Sequence, residues 1–290
     1  MTIGQTLLNI TEIFTRNNIS DAHFEARILL GYLLMLSPAQ IYTQAERCLT
    51  QKQTQDLKHL VDRRLQGEPA AYILSHREFY GIDFFVDSRV LIPRPETELL
   101  VETALALIKR RTGRFGNISK TISIADIGTG CGNIAISLAK NIDNVRIYAT
   151  DISSEALDLA RYNSHYHKVT GKIIFRQGNL LEPVTEPLDM IIANLPYIKT
   201  TDLSSCSTEI TDFEPRIALD GGSSGLSQIS ELLDQISNRI SHQCKLLLEI
   251  GAGQPNQLSI YLRNILPHSY VRFLSDLNGI QRVASIDIFN

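Results

Sequence analysis

The chain has 290 residues, of which 43% are hydrophobic and 20% are charged, and its formal net charge at pH 7 is −3. This balance is typical of a soluble globular protein of about two domains and argues against a general nucleic-acid binder. No apolar run approaches the roughly 20 residues that a membrane-spanning helix needs, and the N-terminus shows no signal-peptide pattern. The four cysteines are far apart in sequence, so we expect a reduced, cytoplasmic protein without a metal site.

The first part of the chain is predicted to form a small helical domain. Apolar side chains recur there at the spacing of amphipathic helices, Ser20-Asp21 is a typical helix start, and Gly67 is a typical helix end. No residue in this region has the pattern of a catalytic group, so we interpret residues 1–70 as a substrate-recognition domain. The predicted helices cover residues 3–14 and 22–36, a short stretch from Ser37, and residues 50–66.

A β-hairpin is predicted to follow this helical region. Glu78–Tyr80 and Ile82–Val86 are two short runs of β-prone residues on either side of Gly81, which is a typical turn residue. We therefore assign residues 71–93 to a β-hairpin linker and residues 94–290 to a second domain.

Strands and helices alternate through the second domain. This alternation predicts an α/β fold with a mostly parallel seven-stranded sheet and helices on both of its faces. The last two strands are joined only by residues 276–279 and should form an antiparallel hairpin. The predicted strands are 121–127, 145–150, 172–177, 188–193, 245–250, 270–274 and 282–288; the helices are 96–111, 133–140, 154–165, 227–240 and 254–266, with loops at 112–120 and after 193.

A glycine-rich turn lies between the first strand and the first helix of this sheet. Glycines in the stretch Asp126–Gly132 allow the backbone to turn tightly and to approach a ligand closely. Asp151 ends the next strand, where a carboxylate can accept hydrogen bonds from two ribose hydroxyls. Together these features indicate an adenosine-type cofactor. A dinucleotide and a purely structural glycine turn are the competing interpretations.

Gly178-Asn179-Leu180 follows the third strand and suggests a further cofactor contact. Asn179 is placed to hydrogen-bond the edge of an adenine ring, and Leu180 to pack on its face. An ordinary turn at the end of a strand is the alternative interpretation.

Asn194-Leu195-Pro196-Tyr197, here called the tetrapeptide, follows the apolar strand 188–193. It should therefore lie at the carboxyl end of the sheet, where open α/β sheets bind ligands. The Asn side-chain oxygen and a neighbouring carbonyl can accept the two hydrogens of a planar –NH2 group, and the Tyr ring can cover its flat face. Asn and Pro are also common in simple turns, so a structural turn remains open.

Taken together, these motifs resemble the HemK/PrmC family of release-factor glutamine methyltransferases. The helical N-terminal region also matches this family, so the resemblance covers nearly the whole chain. The motifs that carry it are Gly67-Glu68-Pro69, Glu78–Gly81, Leu91–Glu98, Asp126–Gly132, the tetrapeptide, Phe213–Arg216 with Ala218-Leu219, and Leu248–Gly251 followed by Gln254.

The resemblance implies a Rossmann-like methyltransferase that uses S-adenosylmethionine. It implies that the substrate is the side-chain amide nitrogen (N5) of the glutamine in the Gly-Gly-Gln motif of class-1 peptide chain release factors. Asn194 and Tyr197 would be catalytic, and Asn194, Leu195, Pro196 and Tyr197 would bind the substrate glutamine. The implied cofactor-binding residues are Gly128, Thr129, Gly130, Cys131, Gly132, Asp151, Asn179, Leu180 and Asn194.

Two positions depart from the usual pattern of this family. Leu195 replaces the first Pro of Asn-Pro-Pro-Tyr, although its carbonyl is retained and Pro196 still favours an extended backbone at residue 195. Asn179 stands where Asp is common. Three rival functions remain open: an adenine-N6 methyltransferase acting on RNA or DNA, a nicotinamide-dependent oxidoreductase, and a non-catalytic module that binds the cofactor.

Overall fold

The structure is a computed structural model that describes residues 1–115, 121–239 and 243–289, without the side chains of residues 111–115. Its contacts divide the chain into two compact units. The first consists of Met1–His76 and Thr208–Phe213, and the second of Arg77–Ser207 and Glu214–Asn290. Within the described ranges, no helix is both long and apolar enough to cross a membrane.

The first unit is built from helices, as the periodicity of the sequence predicts. Their apolar faces form one buried cluster that includes Ile3, Leu29 and Val61. Helices α1, α3 and α4 each start with a capping box. In each, the N-cap hydroxyl and a glutamine three residues later accept hydrogen bonds from each other's backbone amide. The helices are α1 (Ile3–Arg16), α2 (Ala22–Leu34), α3 (Pro38–Thr43), α4 (Gln51–Leu65), α5 (Ala70–Leu74) and the distant α9 (Thr208–Phe213).

Three features of this unit differ from expectation. Helix α5 occupies residues 70–74, where the sequence predicts no helix and places the start of the hairpin linker. Asp21 precedes α2, but its backbone is left-handed (φ 51°) and its side chain makes no capping hydrogen bond. Side-chain capping normally requires an extended N-cap, which explains the difference. Helix α9 falls where the sequence predicts only a loop. Its Glu209 side chain bonds the guanidinium of the buried Arg64, which also bonds Glu25 of α2.

The predicted hairpin is present and is formed by β1 (His76–Phe79) and β2 (Ile82–Phe85). Its two turn residues, Tyr80 and Gly81, both have positive φ, which suits a tight two-residue turn. The Tyr80 amide donates to Glu98 Oε1 at 2.8 Å. Glu98 therefore has a structural partner in this turn.

The second unit contains a seven-stranded sheet of order β5-β4-β3-β6-β7-β9-β8. The first five strands in this order are parallel, and β9 pairs antiparallel with both β7 and β8, of which the sequence predicts the β8–β9 hairpin. Because the chain continues from β3 to β4 on one side and places β6 on the other, the strand order reverses at β3 and opens a crevice there. The strands are β3 (Ile122–Ile127), β4 (Val145–Asp151), β5 (Ile173–Gln177), β6 (Met190–Ala193), β7 (Cys244–Glu249), β8 (Ser269–Ser275) and β9 (Gln281–Ile288).

The helices of this unit follow the prediction with one correction at α6. The predicted loop 112–120 begins too early, because α6 continues to Phe115. A glycine inside a helix costs only about 1 kcal/mol, so Gly113 does not end it. The rest of that loop, 116–120, and Ile240 of the predicted helix 227–240 lie outside the described residues. The helices are α6 (Glu98–Phe115), α7 (Asn133–Asn141), α8 (Ser154–Tyr166), α10 (Ser227–Arg239) and α11 (Pro255–Ile265).

Candidate active site

A cavity in the second unit lies at the carboxyl ends of β3, β4 and β6. It brings together ten of the twelve residues that the sequence assigns to the site; only Gly132 and Tyr197 are not in its wall. The cavity wall also contains residues to which the sequence gave no individual role, among them Pro93, Arg94 and Thr97. The ten predicted residues in the wall are Gly128, Thr129, Gly130, Cys131, Asp151, Asn179, Leu180, Asn194, Leu195 and Pro196.

The glycine turn after β3 has the backbone that its composition predicts. Gly128, Gly130 and Gly132 all have a positive φ angle, which residues other than glycine rarely adopt. A Cβ atom at Gly130 would meet nothing within 4 Å, so this stretch of backbone is open to a ligand. At Gly132 a Cβ would lie 3.0 Å from the Ile136 side chain. Gly132 therefore serves the packing of the turn on α7.

The buried Asp126 side chain stabilises this turn through two hydrogen bonds. Its Oδ2 accepts hydrogen bonds from the Thr129 hydroxyl at 2.6 Å and from the Ala135 amide at 3.1 Å. Burial raises the pKa of Asp126 to about 6, against the effect of these two donors. Burial also raises the pKa of the Cys131 thiol to about 12. Cys131 is therefore a small packing residue, since a nucleophilic cysteine requires a lowered pKa.

The Asp151 carboxylate lies in the cavity wall at the last position of β4. Its Oδ2 accepts the Gly130 amide at 2.9 Å, and its Oδ1 accepts the Ser153 amide at 3.0 Å. Burial raises its pKa, and these amide donors lower it. Each carboxylate oxygen has two lone pairs, so both oxygens can accept a further hydrogen bond from a ligand.

Asn179 and Leu180 form another side of the cavity. The Asn179 Nδ2 donates to Glu231 Oε1 at 2.5 Å, which leaves its Oδ1 as the group available to a ligand. The Leu180 carbonyl accepts the Thr150 hydroxyl at 2.8 Å. Ile152 also lines the cavity and is 53% exposed, an apolar surface that the sequence did not single out.

The tetrapeptide contributes Asn194, Leu195 and Pro196 to the cavity wall. Asn194 Nδ2 donates to the Thr97 hydroxyl oxygen at 3.0 Å. Among the residues that the structure describes, none donates a hydrogen bond to Asn194 Oδ1 or to the Leu195 carbonyl. The Leu195 side chain is 4% exposed, and its Cδ2 would lie 3.2 Å from a Cβ at Gly128. Leucine at this position thus packs the tetrapeptide onto the glycine turn.

Tyr197 is held at both its hydroxyl and its carbonyl. Its hydroxyl donates to Glu249 Oε1 at 3.3 Å, and its carbonyl accepts Gln254 Nε2 at 3.0 Å. Burial and the nearby Glu249 carboxylate raise the pKa of Tyr197. Gly221 packs against the same backbone, where a Cβ would lie 2.7 Å from the Pro196 carbonyl oxygen. These contacts fix the path of the tetrapeptide.

Glu249 belongs to the motif Leu248–Gly251, but the sequence gave it no role of its own. It is 1% exposed at the end of β7, and in the described part of the chain its Oε2 has no hydrogen-bond partner. Burial raises its pKa to about 7, against the effect of the nearby Thr97 and Tyr197 hydroxyl groups. The available signal was a single acidic residue ending an otherwise apolar run, Leu246–Leu248.

An ion pair connects two motifs that lie far apart in the sequence, Leu91–Glu98 and Phe213–Arg216. Arg94 donates to Glu214 Oε1 at 2.5 Å, and the Ile92 amide donates to Glu214 Oε2 at 3.2 Å. Arg94 and Pro215 both line the cavity. Glu214 therefore joins the segment before α6 to the segment after α9 at the cavity wall.

Two family models match the chain: the PrmC N-terminal domain over residues 5–74 and the methyltransferase small domain over residues 109–211. The N-terminal domain of human METTL16 in complex with SAH has a similar fold, with a TM-score of 0.52 and 17% identity, covering 79% of this chain and 84% of that one. The order of the sheet, the glycine turn after β3 and the acidic end of β4 define a Rossmann-like methyltransferase.

Curated relatives narrow this class to one family. A release factor glutamine methyltransferase of Bacillus anthracis is 32% identical over 95% of this chain and 95% of its own length. One from Chlorobaculum tepidum is 34% identical over 97% of this chain and 95% of its own length. The chain belongs to the release factor glutamine methyltransferase family.

Proposed function

We propose that this enzyme transfers a methyl group from S-adenosylmethionine to the side-chain amide nitrogen of the glutamine in the Gly-Gly-Gln motif of class-1 peptide chain release factors. The observation that carries the proposal is that Asn194 Oδ1 and the carbonyl of Leu195, in two adjacent residues of the cavity wall, receive no hydrogen bond from the residues that the structure describes. Two adjacent acceptors match the two hydrogens of a primary amide. Membership of the family supports the same substrate.

The residues of the cavity fit S-adenosylmethionine by their chemistry. Asp151 retains acceptor capacity for the two ribose hydroxyls, and the glycine turn, which is open at Gly130, accommodates the methionine portion. Asn179 Oδ1 is left to accept from an adenine amino group. Leu180 and the exposed Ile152 supply apolar surface for the flat ring. When bound, this cofactor supplies an electrophilic methyl group on a positively charged sulfur.

Asn194 and Leu195 make the glutamine amide reactive by position and by electrostatics. An amide nitrogen is a weak nucleophile because its lone pair is delocalised into the carbonyl. Accepting both N–H groups orients the nitrogen and stabilises the positive charge that develops on it. The nitrogen gains the methyl group and then releases one proton, so no base is needed before transfer. The Tyr197 ring bounds the slot for the amide plane, with its hydroxyl anchored on Glu249.

We assign the remaining parts of the chain to recognition and linkage. Residues 1–70 recognise the release factor, residues 71–93 form the linker, and residues 94–290 carry the chemistry. The enzyme acts in the cytoplasm, where release factors work. A net charge of −3 supports a protein partner in preference to a nucleic acid.

A competition between substrates tests the proposal. The purified protein is incubated with labelled S-adenosylmethionine and either a class-1 release factor or ribosomal RNA. Label on the Gly-Gly-Gln glutamine is the expected result. An adenine amino group offers the same two hydrogens to the tetrapeptide, so label on RNA alone would refute the proposal in favour of an adenine-N6 methyltransferase.

A further inference from the structure

We propose that Glu231, on α10, fixes the orientation of the Asn179 side-chain amide, so that the cofactor site accepts a 6-amino purine and rejects a 6-oxo purine. This inference rests on the proposed function, because it concerns the adenine end of the proposed cofactor. Asn179 lies in the cavity wall, and Glu231 lies outside it. Glu231 is therefore a positioning residue that acts through Asn179.

One face of α10 holds the segment that follows β5. Three side chains at intervals of four residues lie on this face, since residues four apart are neighbours on a helix. Two of them fix the backbone of the segment, and the third fixes the Asn179 side chain. The bonds run from Asn179 Nδ2 to Glu231 Oε1 (2.5 Å), from the Leu181 amide to Gln235 Oε1 (2.8 Å) and from Arg239 Nη1 to the Leu181 carbonyl (2.8 Å).

The hydrogen bond between Asn179 and Glu231 has a single direction. A carboxylate accepts hydrogen bonds and does not donate them, so only the –NH2 end of the amide can face it. Glu231 is exposed, and its contact with water keeps the carboxylate charged. A charged acceptor also forms a stronger hydrogen bond than a neutral one. Asn179 Oδ1 is therefore turned away from Glu231 and serves as the acceptor of this part of the cavity wall.

This polarity separates two purines of nearly the same shape. The 6-amino group of adenine donates hydrogen bonds and matches Asn179 Oδ1. The 6-oxo group of hypoxanthine only accepts, so it would face Oδ1 without a hydrogen bond after losing its contact with water. An amide that turned over would present its –NH2 group and would bind the 6-oxo purine as well. Glu231 keeps the amide from turning over.

Glu231→Gln and Asp234→Asn form a matched pair for the test. Each removes one negative charge from an exposed residue of α10. Glutamine can accept a hydrogen bond from Asn179 or donate one to it, so it no longer sets the direction of the bond. Calorimetry measures the dissociation constants of S-adenosylhomocysteine and S-inosylhomocysteine, which carry a 6-amino and a 6-oxo purine. The quantity compared between proteins is the ratio of these two constants.

We expect the wild-type protein to bind S-adenosylhomocysteine about tenfold more tightly than S-inosylhomocysteine, the scale of one unpaired acceptor. In Glu231→Gln this preference should fall about threefold or more, because either orientation of the Asn179 amide then finds a partner. Asp234→Asn should keep the wild-type preference.

Asn179→Asp gives an independent test. Its carboxylate would lie against that of Glu231, and the two negative charges repel each other. The single variant should therefore bind S-adenosylhomocysteine about fivefold more weakly. Adding Glu231→Gln should restore most of the affinity, because glutamine can donate a hydrogen bond to the aspartate. A double variant no tighter than Asn179→Asp would contradict the inference.

The inference is also refuted if Glu231→Gln, with the circular dichroism of the folded protein, keeps the wild-type preference. Equal loss of preference in Asp234→Asn would refute it too, because the charge of the helix would then be the determinant. A wild-type protein that binds neither nucleoside would overturn the proposed cofactor and this inference with it. A protein that shows the preference but leaves the release factor unmethylated would overturn the proposed substrate alone.

Discussion

Replacing Glu249 by glutamine should change how the stability of the protein depends on pH. Burial raises the pKa of Glu249 in the folded state to about 7, from an ordinary value of 4.5. A carboxyl group with a raised pKa holds its proton more tightly in the folded state than in the unfolded state. Its ionisation therefore destabilises the fold as the pH rises from the unfolded to the folded pKa. A glutamine cannot ionise, so the Glu249→Gln variant does not lose stability in this way as the pH rises.

The size of the effect follows from the two pKa values. One pKa unit corresponds to about 1.4 kcal/mol, so the full shift of Glu249 corresponds to about 3 kcal/mol, of which roughly 2–3 kcal/mol develops between about pH 5 and pH 9. The free energy of unfolding of Glu249→Gln, relative to wild type, should rise by that amount across this range. Because the chain contains no tryptophan, denaturant unfolding is best followed by circular dichroism.

A control variant and a clear negative result complete this experiment. Glu182→Gln alters an exposed glutamate of the same unit and should give a pH profile parallel to that of the wild type. Asp126 and Asp151, whose pKa burial also raises, are present in all three proteins and cancel in the comparison. A Glu249→Gln profile that runs parallel to wild type would show that Glu249 is not destabilised by ionisation, and the reasoning would fail.

Three further changes test the site. Asn194→Ala should lower kcat by about a hundredfold or more, since it removes a preorganised acceptor, while calorimetry shows nearly normal binding of S-adenosylhomocysteine. Asp151→Ala should weaken that binding about tenfold or more in the same calorimetric titration, because the ribose hydroxyls lose a charged acceptor. Gly221→Ala should lower kcat, because its Cβ would lie 2.7 Å from the Pro196 carbonyl oxygen, whereas Gly171→Ala, with nothing within 4 Å, should match wild type in the same assay.

The fold was predictable because its signals are local. Alternating strands and helices, each with its own apolar pattern, define the parallel sheet, and the short connection at 276–279 defines the terminal hairpin. The misses have local causes too. Gly113 falsely indicated the end of a helix. Thr208–Phe213 is a helix of six residues without a buried apolar side chain, so no apolar pattern marks it; its Glu209 bonds Arg64.

The ten predicted residues of the cavity wall were predictable from their positions at the ends of strands. The residues that hold them in place were not. Thr97 lies 97 positions before Asn194, and Glu249 lies 52 positions after Tyr197, so their hydrogen bonds depend on the order of β6 and β7 in the sheet. Sequence spacing carries no trace of such partners. The buried packing of Leu195 on Gly128 likewise needed the folded chain.

The central claim is that the paired acceptors of Asn194 and Leu195 serve a glutamine amide. Mass spectrometry of a class-1 release factor, after incubation with this protein and S-adenosylmethionine, tests it most directly. We predict one added methyl group on the side-chain nitrogen of the Gly-Gly-Gln glutamine, and none when Asn194→Ala replaces the wild-type protein. An unmodified glutamine after incubation with an active, cofactor-binding wild-type protein would contradict the account.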